Sequence, residues 1–92
     1  MPIEQIIKRN GKIVPFEKDK ITEAIWKAVI SCGGKDKEKT AYLSDSIVKQ
    51  LNDKRIDQIP TVEEVQDLVE KTLIEEGHAQ VAKAYIIYRH DH

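Results

Sequence analysis

Two short apolar runs separated by a polar turn open the chain. Residues 3–8 and 13–16 are dominated by Ile and Val, which favour a half-buried, pleated strand. Between them lies Asn10-Gly11, a dipeptide preferred at the centre of a tight hairpin because both residues tolerate a positive φ angle. The pattern predicts an antiparallel β-hairpin at the start of the chain.

Two amphipathic helices are predicted after the hairpin. Apolar residues recur at spacings of three and four over residues 17–32, and the Gly33-Gly34 pair ends this first helix. Residues 36–52 predict a second helix with a charged outer face. The apolar stripes expected to pack into the core are Ile21, Ala24, Ile25, Ala28, Val29 and Cys32 in the first helix, and Leu43, Ile47, Val48 and Leu51 in the second.

A linker and two further helices complete the predicted chain. Residues 53–60 are expected to form a linker that contains a short strand at 56–59. Thr61, followed three residues later by Glu64, is a capping-box pattern and predicts the start of a third helix that ends at Gly77. A fourth helix is predicted from about residue 78 to residue 89. The expected packing positions are Val62, Val65, Leu68, Val69, Thr72 and Leu73 in the third helix, and Val81, Ala82, Tyr85, Ile86 and Tyr88 in the fourth.

A hairpin followed by four helices indicates an α+β fold, in which a helical bundle is covered at one end by a small sheet. The length of 92 residues suits one domain, so we expect a single domain over residues 1–92. The formal net charge is −1, with both signs spread along the chain. This balance argues against nucleic acid as a partner, but it does not exclude a small anionic ligand, which needs only local charge.

Cysteine content and hydropathy indicate in which cellular environment the chain is expected. Cys32 is the only cysteine, so neither an intrachain disulfide nor a thiolate metal cluster can form, and a reducing cytoplasm is expected. The first residues lack the basic and apolar regions of a secretory signal. No run approaches the roughly 18 apolar residues that a membrane span needs, so we expect no membrane association.

Basic residues cluster where the hairpin turns and where the first helix begins. Lys8, Arg9 and Lys12 surround the turn, and Lys20 lies at the start of the helix. Converging cationic donors suit a polyphosphate, and the alternative is a solvated turn with ordinary surface charges. The chain has neither G-x-x-x-x-G-K-[ST] nor G-x-G-x-x-G, so a nucleotide would have to be bound by side-chain cations and by the edges of the sheet and helices.

The residue pattern indicates neither a catalytic nor a metal site. The three histidines are separated along the chain or lie at its end, and we expect no metal ligand among them. The carboxylate pairs Glu63-Glu64 and Glu75-Glu76 lie at helix ends without a nucleophile or base nearby, so capping or surface roles are expected. We therefore expect a chain that has no chemistry of its own.

Three parts of the chain, in this order, match the pattern of a known family. They are IKRNG at 7–11 with VPF at 14–16 and KI at 20–21, then PTVEEVQDLVE at 60–70, then AKAYIIYR at 82–89. Together they resemble the ATP-cone, a regulatory nucleotide-binding domain at the N-terminus of many ribonucleotide reductases, and they look most similar to the cones of anaerobic or cobalamin-dependent enzymes. Asn10 stands in place of the family's usual aspartate and retains its turn chemistry.

The resemblance implies a four-helix bundle capped by a β-hairpin or a three-stranded sheet, with ATP or dATP bound between the sheet and the helix ends. It implies that Lys8, Arg9 and Lys20 contact phosphates. It places Val14 and Glu17 where the family reads the adenine, and a carboxylate at 17 can accept from the exocyclic amine. The other implied nucleotide contacts are Ile6 and Ile7 through the strand backbone, Ile21 on the first helix, and Val62, Val65 and Gln66 at the start of the third helix.

Two positions depart from some members of the family, because Gln66 stands where they have a histidine and Asp91 where they have a lysine. Mg²⁺ is expected only as a companion of the triphosphate. The implied function is allosteric, since an effector that favours one arrangement of attached domains must interact differently with the two arrangements. The chain is expected to be an excised or free-standing cone that is not itself an enzyme. Its expected partner is a reductase catalytic domain, in cis or in trans.

Two alternatives remain open at the level of the sequence. Cones also occur in a transcriptional repressor of reductase genes, where the zinc ribbon that accompanies the cone needs four cysteines. The other alternative is a helical interaction domain that has lost nucleotide binding. The presence of Lys8, Arg9 and Lys20 argues against this last interpretation.

Overall fold

The computed structural model describes residues 3–54 and 58–91. Within these ranges two strands are followed by four helices, so the predicted α+β architecture is confirmed. Every predicted helix is present, with ends that lie one or two residues from the expected ones. The elements are β1 (Gln5–Ile7), β2 (Ile13–Pro15), α1 (Lys18–Ser31), α2 (Lys37–Lys54), α3 (Val62–Glu75) and α4 (Ala79–Asp91).

The hairpin forms as predicted, with Asn10 and Gly11 in its turn. β1 and β2 pair antiparallel, with Ile6 opposite Val14. The Lys8 N–H donates to the Lys12 carbonyl (2.8 Å), and the Gly11 N–H donates to the Lys8 carbonyl (2.9 Å). Within the turn only Gly11, at φ 85°, uses the positive φ that both central residues tolerate. The connection is the three-residue kind with glycine at the left-handed position, which suits the strand twist without straining Asn10.

The predicted strand at 56–59 is not found in the part of the chain that the structure describes. Its first two residues lie outside the described ranges, and Gln58 and Ile59 belong to no strand. The chain contacts the sheet at Pro60 and Thr61 instead. The Ile7 N–H donates to the Pro60 carbonyl (2.9 Å), and Ile7 forms a single parallel bridge with Thr61. Proline has no N–H for a ladder, and Thr61 already caps a helix, so the pairing ends after one bridge.

The start and end of α3 follow the sequence signals. The Glu64 N–H donates to Thr61 Oγ1 (3.1 Å), and the Thr61 N–H donates to Glu64 Oε1 (3.2 Å), which confirms the predicted capping box. At the other end Gly77 takes φ 82°, and the His78 N–H donates to the Leu73 carbonyl (2.8 Å). These bonds satisfy backbone groups that a helix end leaves without partners.

The core lies between the four helices, each of which packs against two others in the ring α1, α2, α3, α4. Ile25, Ile47 and Leu73 are completely buried, and α4 adds Ala82 and Tyr85. The sheet covers the end of the bundle where α1 and α3 begin and where α2 and α4 end. Ile3, Ile6 and Phe16 pack against the core from this side, in agreement with the predicted architecture.

Two predicted core positions are wrong. Cys32 is exposed, because α1 ends at Ser31 and Cys32 is its C-cap; its Sγ lies 3.4 Å from the Gln80 carbonyl oxygen. Ile86 is 42% exposed, whereas its neighbour Tyr85 is buried. Ile86 lies about 100° farther around α4 than Tyr85, which turns its side chain away from the faces buried against α1 and α3. Among the described helices, none is long and apolar enough to cross a membrane.

Candidate functional site

A pocket of about 200 Å³ lies beneath the hairpin, where the sheet meets the ends of three helices. Its walls come from β1, β2, α1, α3 and α4, and they are mostly apolar. The lining residues are Ile6, Val14, Pro15, Phe16, Glu17, Lys20, Ile21, Ala24, Val62, Val65, Gln66, Tyr85 and Tyr88.

Local structure explains why these elements meet. The Phe16 N–H donates to the Glu4 carbonyl (2.9 Å), which extends the hairpin to the point where Glu17 caps α1. On the opposite side, the bond from Ile7 to Pro60 and the capping box at Thr61 hold the first turn of α3 beside β1. Pocket residues from α1 and α3 therefore lie in the first two turns of these helices, next to the sheet.

Eight of the eleven residues expected to contact a nucleotide line this pocket. They are Ile6, Val14, Glu17, Lys20, Ile21, Val62, Val65 and Gln66. The other three, Ile7, Lys8 and Arg9, belong to the end of β1 and the turn above it and are not part of the lining. Arg9 still reaches the wall of the pocket, because its NH2 group donates to Gln66 Oε1 (3.1 Å).

The sequence-based set omits the aromatic part of the lining. Phe16 was predicted in a strand and Tyr85 and Tyr88 at packing positions of the fourth helix, and all three contribute to the pocket wall. Tyr85 and Tyr88 lie three residues apart on α4, and their ring centroids are 6.2 Å apart. This spacing places both on one face of the helix, but only the packing of α4 against α1 and α3 turns that face toward the sheet.

Two of the cations near the pocket already have acidic neighbours. Lys20 Nζ lies 3.2 Å from Glu17 Oε2, and Arg9 Nε lies 3.9 Å from Glu63 Oε1. Lys8 forms no ion pair with any described residue. All of these side chains are solvent-exposed, so each ion pair contributes little to stability, and another anion can take the place of its carboxylate.

A further ion-pair group, centred on Arg89, has a structural role between α3 and α4. Arg89 NH1 donates to Asp67 Oδ1 (2.8 Å) and to Glu70 Oε1 (2.7 Å), which joins α4 to α3. Burial lowers the pKa of Arg89, but the hydrogen bonds to the two carboxylates outweigh it, so the pKa is raised overall. Only 16% of the Arg89 side chain is exposed, so its guanidinium is not open to a ligand.

The hydroxyl of Tyr85 in the pocket wall has a strongly changed proton affinity. Burial raises the pKa of its hydroxyl well above the ordinary tyrosine value. The hydroxyl therefore stays protonated at neutral pH and can offer a neutral hydrogen-bonding group to a ligand. Within residues 3–54 and 58–91, no group of three or more His, Cys, Asp or Glu side chains is placed to hold a metal ion.

The chain belongs to the ATP-cone family, since a family model described as "ATP cone domain" matches residues 4–92. It is 42% identical over 92 residues to the vitamin B12-dependent ribonucleoside-diphosphate reductase of Thermoplasma acidophilum, a match that covers 95% of this chain and 12% of the relative. It is 36% identical over 87 residues to the anaerobic ribonucleoside-triphosphate reductase of Salmonella typhimurium, with 94% and 12% covered.

A third relative is the ribonucleoside-diphosphate reductase subunit alpha of Chlamydia pneumoniae, which is 38% identical over 94 residues, with 91% of this chain and 9% of the relative covered. The expected likeness to cobalamin-dependent and anaerobic reductases is thus confirmed. The chain spans only about a tenth of the length of these relatives. The matches therefore cover one segment of each relative, and they do not assign the catalytic activity of the relatives to this chain.

Proposed function

We propose that this chain is an allosteric regulatory module that binds ATP or dATP and controls a ribonucleotide reductase catalytic domain, in cis or in trans. The observation that carries the proposal is the pocket between the sheet and the helix ends. It combines apolar and aromatic walls with cations at its rim, a pairing that suits a flat base at one end and a phosphate chain at the other.

The volume of the pocket supports a binding mode in which the base lies inside the pocket and the triphosphate extends out of it. Pockets that enclose a whole drug-sized ligand usually measure about 300–1,000 Å³. The 200 Å³ beneath the hairpin is smaller, so it suits the base and part of the ribose. The triphosphate then extends outward toward the turn, where Lys8 and Arg9 lie, while Lys20 serves the phosphate nearest the pocket.

Recognition of adenine is assigned to two residues of the pocket lining. Val14 supplies an apolar contact, and the Glu17 carboxylate accepts a hydrogen bond from the exocyclic amine of adenine. Guanine carries a carbonyl oxygen at that position, and two acceptors repel each other. Val62, Val65 and Gln66 flank the ribose or the base from α3. Mg²⁺ would accompany the triphosphate and needs no ligand cluster of its own in the protein.

The reductase relatives favour this proposal over the two alternatives, a repressor fragment and a helical interaction domain without nucleotide binding. An effector can shift an equilibrium between two arrangements only by its difference in affinity for them. The ends of α1 and α3 bind the nucleotide in this proposal, so a change in their spacing is the step by which binding alters the surface offered to a catalytic domain.

Isothermal titration with ATP, dATP, GTP and CTP tests the proposal. We expect saturable binding of both adenine nucleotides and much weaker binding of GTP and CTP. Glu17→Gln should reduce the preference for ATP over GTP, because an amide can present either a donor or an acceptor. Folded protein that binds no adenine nucleotide at millimolar concentration would contradict the proposal.

A further inference from the structure

We propose that Glu63 sets the affinity of the site, because its carboxylate competes with the triphosphate for Arg9. This inference rests on the proposed function and names a residue that was not expected to take part in binding. Glu63 does not line the pocket; it acts at the rim, through the arginine that joins the hairpin turn to α3.

The geometry places two α3 side chains on one arginine. Arg9 NH2 donates to Gln66 Oε1 (3.1 Å), and Arg9 Nε lies 3.9 Å from Glu63 Oε1. Glu63 and Gln66 are three residues apart, so they share one face of α3. The turn that carries Arg9 is held by backbone bonds at Lys8 and Gly11, so the arginine is presented to α3 from a fixed base.

A bound phosphate affects the contacts of Arg9 with Gln66 and with Glu63 differently. Gln66 is neutral, and a guanidinium has five N–H donors, so Arg9 can keep this hydrogen bond while it also binds a phosphate. Glu63 is an anion. If Arg9 turns to a phosphate, the carboxylate loses its partner and is left within a few ångströms of further negative charge.

Glu63 is held in this competing position by its own helix. It occupies the first turn of α3, where the partial positive charge of the helix N-terminus stabilises a carboxylate. Its side chain is 67% exposed and that of Arg9 is 48% exposed, so both can move without disturbing the core. The same carboxylate therefore stabilises the ligand-free protein and opposes the binding of a polyanion.

The direct test is Glu63→Gln, which keeps the shape of the side chain and removes its charge. Exposed ion pairs of this kind correspond to roughly 1.4-fold to fivefold in an equilibrium constant. We expect ATP to bind roughly twofold to fivefold more tightly to the variant at about 0.15 M salt, with a smaller gain at about 1 M salt. The gain should decrease from ATP to ADP to AMP, and adenosine should bind with unchanged affinity.

Two comparison variants make the result specific. Glu75→Gln makes the same charge change at the far end of the same helix, about 18 Å away at the helical rise of 1.5 Å per residue, and should leave ATP affinity unchanged. Arg9→Ala should reduce the effect of Glu63→Gln, because no arginine remains to be competed for and only the direct repulsion between carboxylate and phosphate is left. A double-mutant cycle between Arg9 and Glu63 measures this coupling.

A second readout does not depend on the nucleotide. Because Glu63 favours the helix N-terminus, Glu63→Gln should slightly lower the melting temperature of the ligand-free protein while it raises ATP affinity. These two changes have opposite signs, which a general loosening or tightening of the fold would not produce.

The outcomes separate this inference from the proposed function. Unchanged or weaker ATP binding by Glu63→Gln, an equal gain for adenosine, or a full gain that persists in the Arg9→Ala background each overturns the role of Glu63 while the wild-type chain still binds ATP. A wild-type chain that binds neither ATP nor adenosine overturns the proposed function, and the inference falls with it.

Discussion

Most of the cations near the pocket lie beside carboxylates in the ligand-free protein. Lys20 and Arg9 each lie beside a carboxylate, at 3.2 Å and 3.9 Å, whereas Lys8 has no such neighbour among the described residues. A triphosphate carries about four negative charges, so it can displace exposed carboxylates that hold these cations only weakly. The basic character of the site and its partial neutralisation in the free protein arise from the same few residues.

Substitution of the turn cations should separate phosphate binding from base binding. Lys8→Ala and Arg9→Ala each remove a charge-assisted contact worth about 1.5–3 kcal/mol, so each should weaken ATP binding while adenosine binding changes little. Titration calorimetry with both ligands measures the difference. Equal losses for ATP and adenosine would place these side chains away from the phosphates. The fold should survive, since both residues lie at an exposed turn.

Tyr85 should make the fold sensitive to alkaline pH. Its pKa is raised in the folded state by burial, so above pH about 10 the unfolded chain loses this proton while the folded chain retains it. The unfolded state then binds fewer protons, and the free energy of unfolding falls as pH rises, by at most about 1.4 kcal/mol per pH unit for one proton.

Denaturant titrations between pH 9 and pH 11 would detect this loss. Tyr85→Phe removes the ionisable hydroxyl and should flatten the decline in stability. Tyr42→Phe, at a side chain that is 52% exposed, is the matched control. If the two variants decline equally with pH, Tyr85 is not the group responsible.

At the scale of elements, the junction between β1 and α3 builds the site. One backbone bond from Ile7 to Pro60 and one bridge to Thr61 join the sheet to the helix that carries Val62 and Gln66. The capping box fixes the direction in which α3 starts, because it satisfies donors that would otherwise need water or another partner. The cap therefore helps to position the α3 residues that line the pocket.

Loss of the cap should destabilise the protein measurably. Thr61→Ala removes the hydroxyl that accepts the Glu64 N–H bond and should cost about 1 kcal/mol in the free energy of unfolding. Thr61→Ser keeps the acceptor and is the matched control. Chemical denaturation of the three proteins is the measurement. A Thr61→Ala protein as stable as Thr61→Ser would show that the box does not stabilise α3.

At the scale of the whole molecule, the four-helix ring is a platform that brings distant segments to one end. Residues of the hairpin, of α1, of α3 and of α4 line one pocket although they are separated by up to 82 positions in the chain, from Ile6 to Tyr88. A ligand that contacts all of them should stabilise the folded state as a whole, because none of these contacts exists in the unfolded chain.

ATP and dATP should therefore raise the melting temperature. A ligand present at about 100 times its dissociation constant adds roughly 2.7 kcal/mol to the free energy of unfolding. Differential scanning fluorimetry with increasing ATP gives the dependence, and adenosine is the control for the phosphate contribution. A melting temperature that does not change with millimolar adenine nucleotide would contradict binding.

The chain should bind ATP without hydrolysing it. Hydrolysis needs a positioned water and a group that orients it, and the residues assigned to phosphates are cations suited to holding the chain of phosphates. We expect no sustained phosphate release from Mg-ATP. Release that co-purifies with the protein and disappears in Lys8→Ala would identify an enzyme instead of a sensor.

The sequence by itself determined the elements and most of the pocket. Helical stripes, glycine stops and the capping box depend on local geometry and on contacts within about four residues, so they are visible in the order of residues. The family likeness added the grouping of Val14, Glu17 and Gln66, which periodicity alone does not connect. Two predictions from local signals were wrong: the described residues 58–59 form no strand, and Cys32 is exposed and not buried.

Only the tertiary structure decided which faces meet. Tyr85 and Tyr88 satisfy the pattern of a packed helix equally well whether they face a closed core or a pocket, and the packing of α4 against α1 turns them toward the sheet. The approach of Glu63 to Arg9, 54 positions earlier, likewise depends on how the hairpin lies on α3. Contacts across such separations are set by packing of the whole chain, which is why the order of residues does not reveal them.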